Sequence, residues 1–166
     1  MESTLPETLI PRRAAQRALV LNGTLDPSLV PRLVEAFEIT APILVILRFN
    51  QIDEDRVLLT GALETAVIRT CQRCLERFET ALHAEVDVEF SASPTANEAD
   101  REVVASPEQA LDIAAFVEDE LLLSAPMVAV HPPTACSAPG AHEEIEQDAV
   151  TTRRPFLELG NLLNRT

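Results

Sequence analysis

Between Phe78 and Phe90 the chain alternates: Phe78, Leu82, Ala84, Val86, Val88 and Phe90 take one parity, and Glu79, His83, Glu85, Asp87 and Glu89 take the other. Successive side chains of an extended strand point to opposite faces, so such a run folds as a strand with one buried face and one wet, acidic face. That contrast belongs to antiparallel pairing, because parallel strands are covered on both sides. Just upstream, Arg56–Thr70 carries Val57, Leu59, Leu63 and Val67 on one face. The two runs predict a β-hairpin, with Cys71-Gln72-Arg73-Cys74 at its end.

The flanking segments complete an α+β pattern. Ile43–Phe49 is apolar and β-branched and predicts another strand, followed by a turn at Asp53-Glu54-Asp55. Ala18–Leu25 reads as a short strand that breaks at Asn22-Gly23. Asp26-Pro27 has the form of a helix cap with proline in the first turn. Leu29, Val30, Leu33, Val34 and Phe37 then share one face of a helix over Pro27–Glu38. A second helix is predicted over Asp112–Ser124, with Ile113, Phe116, Val117 and Leu121 inward and Glu118 and Asp119 outward. Pro126 ends it, and Met127–Val130 is extended. Residues 91–110 and 131–152 are polar, rich in Pro, Ser and acids, and read as flexible loops. Pro155 opens a short terminal helix with Phe156, Leu159 and Leu163 in one stripe. The expected architecture is a single domain over residues 1–166: an antiparallel β-sheet with a Cys-x-x-Cys hairpin, flanked by two or three helices, with flexible acidic loops.

A chain of 166 residues that is 46% apolar can bury a sizeable core. With six Phe and no Trp or Tyr, that core is built from Leu, Val, Ile and Ala. The net charge is −14 and every cation is Arg. Residues 98–148 hold 12 acids and one Arg, whereas the last 18 residues are net basic through Arg153, Arg154 and Arg165. Such a chain is repelled from phosphate backbones unless arginines gather locally. The first ten residues lack a basic then apolar leader, and the apolar run near Leu121–Val130, interrupted by Ser124 and Pro126, is too short to span a bilayer. Three cysteines without a secretion signal point to a reducing, cytoplasmic setting rather than a disulfide framework. No membrane and no small-molecule substrate are expected.

Cys71 and Cys74 have the spacing of the first half of a zinc knuckle, in which a tight turn brings two sulfurs to one side of a tetrahedral ion. His131 and Cys136 would complete a Cys3His set; the alternative is a pair of reduced thiols at a turn. A redox role fits less well, since that motif belongs at a helix start in a βαβ unit. Arg69, Arg73 and Arg77 stand four apart around the same turn and would lie near one face of the hairpin tip. They form a docking patch for RNA or an acidic protein, or else pair with Glu76, Glu79 and the acidic strand face. No nucleophile elbow or Gly-rich phosphate loop is present, and the three histidines are scattered. Glu118-Asp119-Glu120 reads as a solvated face, because consecutive helix positions point in different directions.

Thr70-Cys71-Gln72-Arg73-Cys74, the stretch Asp112–His131 (DIAAFVEDELLLSAPMVAVH) and the closing Arg154-Pro155-Phe156-Leu157-Glu158-Leu159 occur in this order. Together they resemble the large ribosomal RNA subunit accumulation protein family, YceD-like, over about Leu9 to Asn164. The resemblance implies a non-enzymatic cytoplasmic factor that supports 23S rRNA accumulation and large-subunit biogenesis, with ribosomal RNA or a ribosome-assembly protein as partner. The matching motif positions are Cys71, Arg73, Cys74, Glu118, Asp119, Glu120 and His131, and Cys136 stands where such proteins often bear another cysteine. Arg69, Arg73, Arg77, Arg153 and Arg154 are the partner-binding candidates, and a small zinc-binding or thiol-redox module is the alternative function.

Overall fold

The computed structural model describes residues 5–91, 102–103 and 106–137, and the fold is stated for these. Strand β1 (Thr8–Leu9) and helix α1 (Pro11–Gln16) lead into β2 (Val20–Leu25), a 3-10 turn at Pro27–Leu29, α2 (Pro31–Ala36) and β3 (Glu38–Ile39). Three long strands follow: β4 (Ile43–Gln51), β5 (Arg56–Thr70) and β6 (Arg77–Ser91). After them come β7 (Glu102–Val103), β8 (Leu111–Asp112), α3 (Ile113–Ser124) and a 3-10 turn at Pro133–Ala135. The main sheet runs β2-β4-β5-β6-β7, with β3 also on β5, and β1 pairs with β8 separately. Pairing is antiparallel except between β6 and β7. The protein is therefore α+β, with antiparallel sheets and three α-helices among the described residues.

The β5–β6 ladder is continuous from Arg56↔Ser91 to Thr70↔Arg77. In this register every odd residue of β5 faces an even residue of β6. Val57, Leu59, Leu63 and Val67 accordingly share the buried face with Leu82, Ala84, Val86, Val88 and Phe90. Ile43, Val45, Leu47 and Phe49 of β4, and Leu21 and Leu25 of β2, extend that layer. Helix α1 lies on β4 and β5, α3 lies on β6 and β5, and α2 packs against α3. Ile113, Phe116, Val117 and Leu121 of α3 close the core from above.

Several local expectations change. The helix expected over Pro27–Glu38 is split, because Pro31 has no N–H to carry a ladder through. Asp26 still caps the first turn, accepting from the Ser28 N–H at 2.8 Å, and only Val30 and Leu33 of the expected face are fully buried. β2 passes through Asn22-Gly23 unbroken, paired residue by residue with β4. The wet face of β6 stops short of Glu89, which is 3% exposed and lies 3.7 Å from Arg56. Within the expected loop 91–110, Ser91 completes β6 and Glu102–Val103 pairs with it. Met127–Val130 forms no strand, and His131–Ser137, expected to be flexible, includes a 3-10 turn and two buried residues, His131 and Cys136. Residues 92–101, 104–105 and 138–152 of the expected loops, the helix expected after Pro155, and Arg153 and Arg154 lie outside the described residues.

Gly61 sits in mid-β5 between Leu47 of β4 and Val86 of β6. A Cβ there would lie 2.0 Å from the Ile46 carbonyl oxygen, a backbone atom that cannot move without parting the strands. Gly61→Ala is thus expected to destabilise the protein by about 2 kcal/mol or more, the range of an overpacked core. Urea unfolding checks this, and a change below about 0.5 kcal/mol, typical of an unconstrained surface site, would contradict the packing described.

Candidate functional site

The chain reverses between β5 and β6 over Cys71–Glu76. The Cys71 N–H donates to the Glu76 carbonyl and the Leu75 N–H to the Cys71 carbonyl, both at 2.9 Å. This loop is tied to the chain that follows α3: the Gln72 N–H donates to the Ala129 carbonyl at 2.8 Å, and its side-chain amide donates to the Met127 carbonyl at 3.2 Å. His131 then packs its ring against Phe78, with centroids 4.4 Å apart.

These ties bring four expected ligands together. One donor atom each from Cys71, Cys74, His131 and Cys136 lies within 4.8 Å of the others. Cys71, His131 and Cys136 are buried, and Cys74 is half-buried with its sulfur 3.2 Å from Nδ1 of His131. Burial pushes the Cys71 thiol up. The backbone N–H groups of Cys74, His131 and Arg73 and the Cys74 thiol all bond its sulfur and outweigh burial, holding it at about 6 against an ordinary 9.0.

The three arginines expected on one face are separated by the ladder. Arg69 stands opposite Phe78 and Arg77 opposite Thr70, so their side chains leave the sheet on opposite sides. Equal parity does not mean equal face across this turn, because odd positions on one strand face even positions on the other. Arg69 stacks over the Phe37 ring at 5.5 Å, Arg77 pairs with Glu38, and Arg73 is exposed on the loop. Arg69 and Arg77 nevertheless both border one open recess of about 670 Å3, between the α2–β3 connection and the end of the hairpin. Val34, Phe37 and Ile39 form its apolar side, Glu35 and Glu38 bring negative charge, and Gln72 and Ala129 line the side next to the cysteine cluster.

Glu118 was expected to face solvent with Asp119 and instead is 4% exposed. Its Oε1 accepts from the backbone N–H groups of Arg32 (2.6 Å) and Leu33 (3.1 Å), and its Oε2 accepts from Arg32 Nε at 2.7 Å. Val30 offers α2 no side-chain cap, so a carboxylate from α3 satisfies the otherwise orphaned N–H groups of its first turn. Asp119, half exposed, accepts from the other end of the same guanidinium at 2.6 Å. Glu120 is partly buried. Nothing local marks Glu118 in the sequence, because its partner lies 86 residues upstream.

An antiparallel α+β scaffold with a cysteine–histidine cluster at its hairpin end is the class that these observations define. The chain belongs to the family described as large ribosomal RNA subunit accumulation protein YceD, whose model matches residues 59–163. The match takes in most of β5, all of β6 and α3, and all four clustered residues. A Haemophilus influenzae protein named large ribosomal RNA subunit accumulation protein YceD is 29% identical over 171 aligned positions, covering 95% of each chain. No solved structure matches the chain at a significant level, and no helix among the described residues is long and apolar enough to cross a membrane.

The capping role of Glu118 separates it energetically from its neighbour. Glu118→Ala strands two N–H donors and is expected to cost about 1–3 kcal/mol. Asp119→Ala removes only an exposed ion pair and should cost less than about 1 kcal/mol. Denaturant titration of both variants measures the order, and equal or inverted losses would contradict it.

Proposed function

We propose that this protein supports accumulation of the large-subunit (23S) ribosomal RNA in the cytoplasm, acting by binding rather than by a reaction of its own. The observation that carries this reading is family membership, supported by likeness to the Haemophilus protein along nearly its whole length. In this reading the recess at the hairpin end, bordered by Arg69 and Arg77 with Arg73 beside it on the loop, contacts the partner. Arg153 and Arg154 add basic charge near the C-terminus. The net charge of −14 and the two glutamates on the recess wall favour an assembly protein over bare pre-rRNA, because phosphates approaching this body meet a repulsive field. The alternative of a free-standing zinc or thiol-redox module has no support in the comparisons. Here the cysteine–histidine cluster serves to hold the hairpin end in shape.

Deleting the gene should lower 23S rRNA relative to 16S and reduce free large subunits; unchanged levels and normal particles would refute the proposal. Complementation with the Arg69→Ala, Arg73→Ala, Arg77→Ala variant should restore little of the loss. Arg73 and Arg77 are exposed, and losing the Arg77–Glu38 pair costs at most about 1 kcal/mol, so this variant is expected to fold. Affinity for the captured partner, titrated against salt, tells the two partner classes apart. A phosphate backbone gives a slope of roughly one logarithmic unit per contact, and a protein surface gives a shallow one.

A further inference from the structure

We propose that Cys71, Cys74, His131 and Cys136 bind one zinc ion in a closed, structural Cys3His site. The donor atoms come from two segments, with Cys74 and His131 57 positions apart in the chain, yet they converge within 4.8 Å of one another. A tetrahedral zinc with bonds of about 2.0–2.3 Å separates its ligand atoms by about 3.5–3.8 Å, so the cluster needs only small side-chain adjustments to close on an ion. Thiolate and imidazole donors suit zinc and exclude calcium and magnesium, which take oxygen ligands.

The surroundings match a metal shell. Cys71, His131 and Cys136 are buried and Cys74 is half-buried, so the cluster is largely shielded from water. The His131 ring presents Nδ1 to Cys74 and rests against Phe78, which fixes its plane. Four protein donors leave no position for water or substrate, so the ion is structural and not catalytic. It would join the β5–β6 loop to the chain beyond α3, along the same side of the recess as Gln72 and Ala129.

The test uses the untagged full chain, purified under reducing conditions without chelator, with metals measured by plasma mass spectrometry. One zinc per chain is expected. After zinc is removed and replaced by cobalt(II), the visible bands of tetrahedral cobalt and a thiolate charge-transfer band should appear. Cys136→Ser should lose the ion on dialysis. His131→Cys should keep it, with a cobalt spectrum moved toward four thiolates, so a failure of the first variant to fold leaves the second to decide. Folded wild-type protein without zinc and without cobalt bands would overturn the proposal. So would a different resident metal, a Cys71–Cys74 disulfide in freshly reduced protein, or full zinc retention by folded Cys136→Ser. Zinc content does not depend on any ribosomal role, so this result stands or falls apart from the rRNA measurement.

Discussion

The unbroken register between β5 and β6 is the constraint on which the rest of the molecule depends. Fifteen residues on each strand pair from Arg56↔Ser91 to Thr70↔Arg77. A slip of β5 by one position would turn Leu59, Leu63 and Val67 out to water and bring Glu64 toward the core side. The same register carries Cys71–Glu76 to the far end of the sheet and sends Arg69 and Arg77 to opposite faces. Gly61 admits the close approach of β4 at the middle of the ladder, where any side chain would meet the Ile46 carbonyl.

Two long-range ties then attach α3 and its continuation to this frame. Glu118 reaches from α3 to cap α2, holding the helix that leads into the recess wall at Phe37–Ile39. Beyond Pro126 the chain returns to the hairpin end through Ala129 and His131. Residues that lie far apart in sequence, Cys71 and Cys74, Glu118, and His131, thus act on one region, each beside or within a segment that borders the recess.

Much of the frame was legible in the sequence because its signals are local. Period-two alternation marks β6, the inward stripe of Ile113, Phe116, Val117 and Leu121 and the stop at Pro126 mark α3, and the Cys-x-x-Cys spacing marks one half of the cluster. Helix α1 was missed because it has six residues and buries only Pro11, Ala14 and Ala15, too few for a periodic stripe. Helix α2 was drawn too long because the apolar spacing continues through Pro31 while hydrogen bonding does not. Glu118 and the face assignment of Arg69 and Arg77 depend on tertiary information. One needs the position of a helix end 86 residues away, and the other needs the parity of the turn between two strands.

The hairpin end and the chain after α3 form one structural unit, which single-residue amide hydrogen exchange in the native protein probes. The Gln72 amide, bonded to Ala129, is expected to be protected together with those of Leu75 and Ala135, and replacing His131 with Ala is expected to release all three while the middle of the β5–β6 ladder stays protected. Free exchange at Gln72 in the wild-type protein, beside a protected ladder, would contradict it.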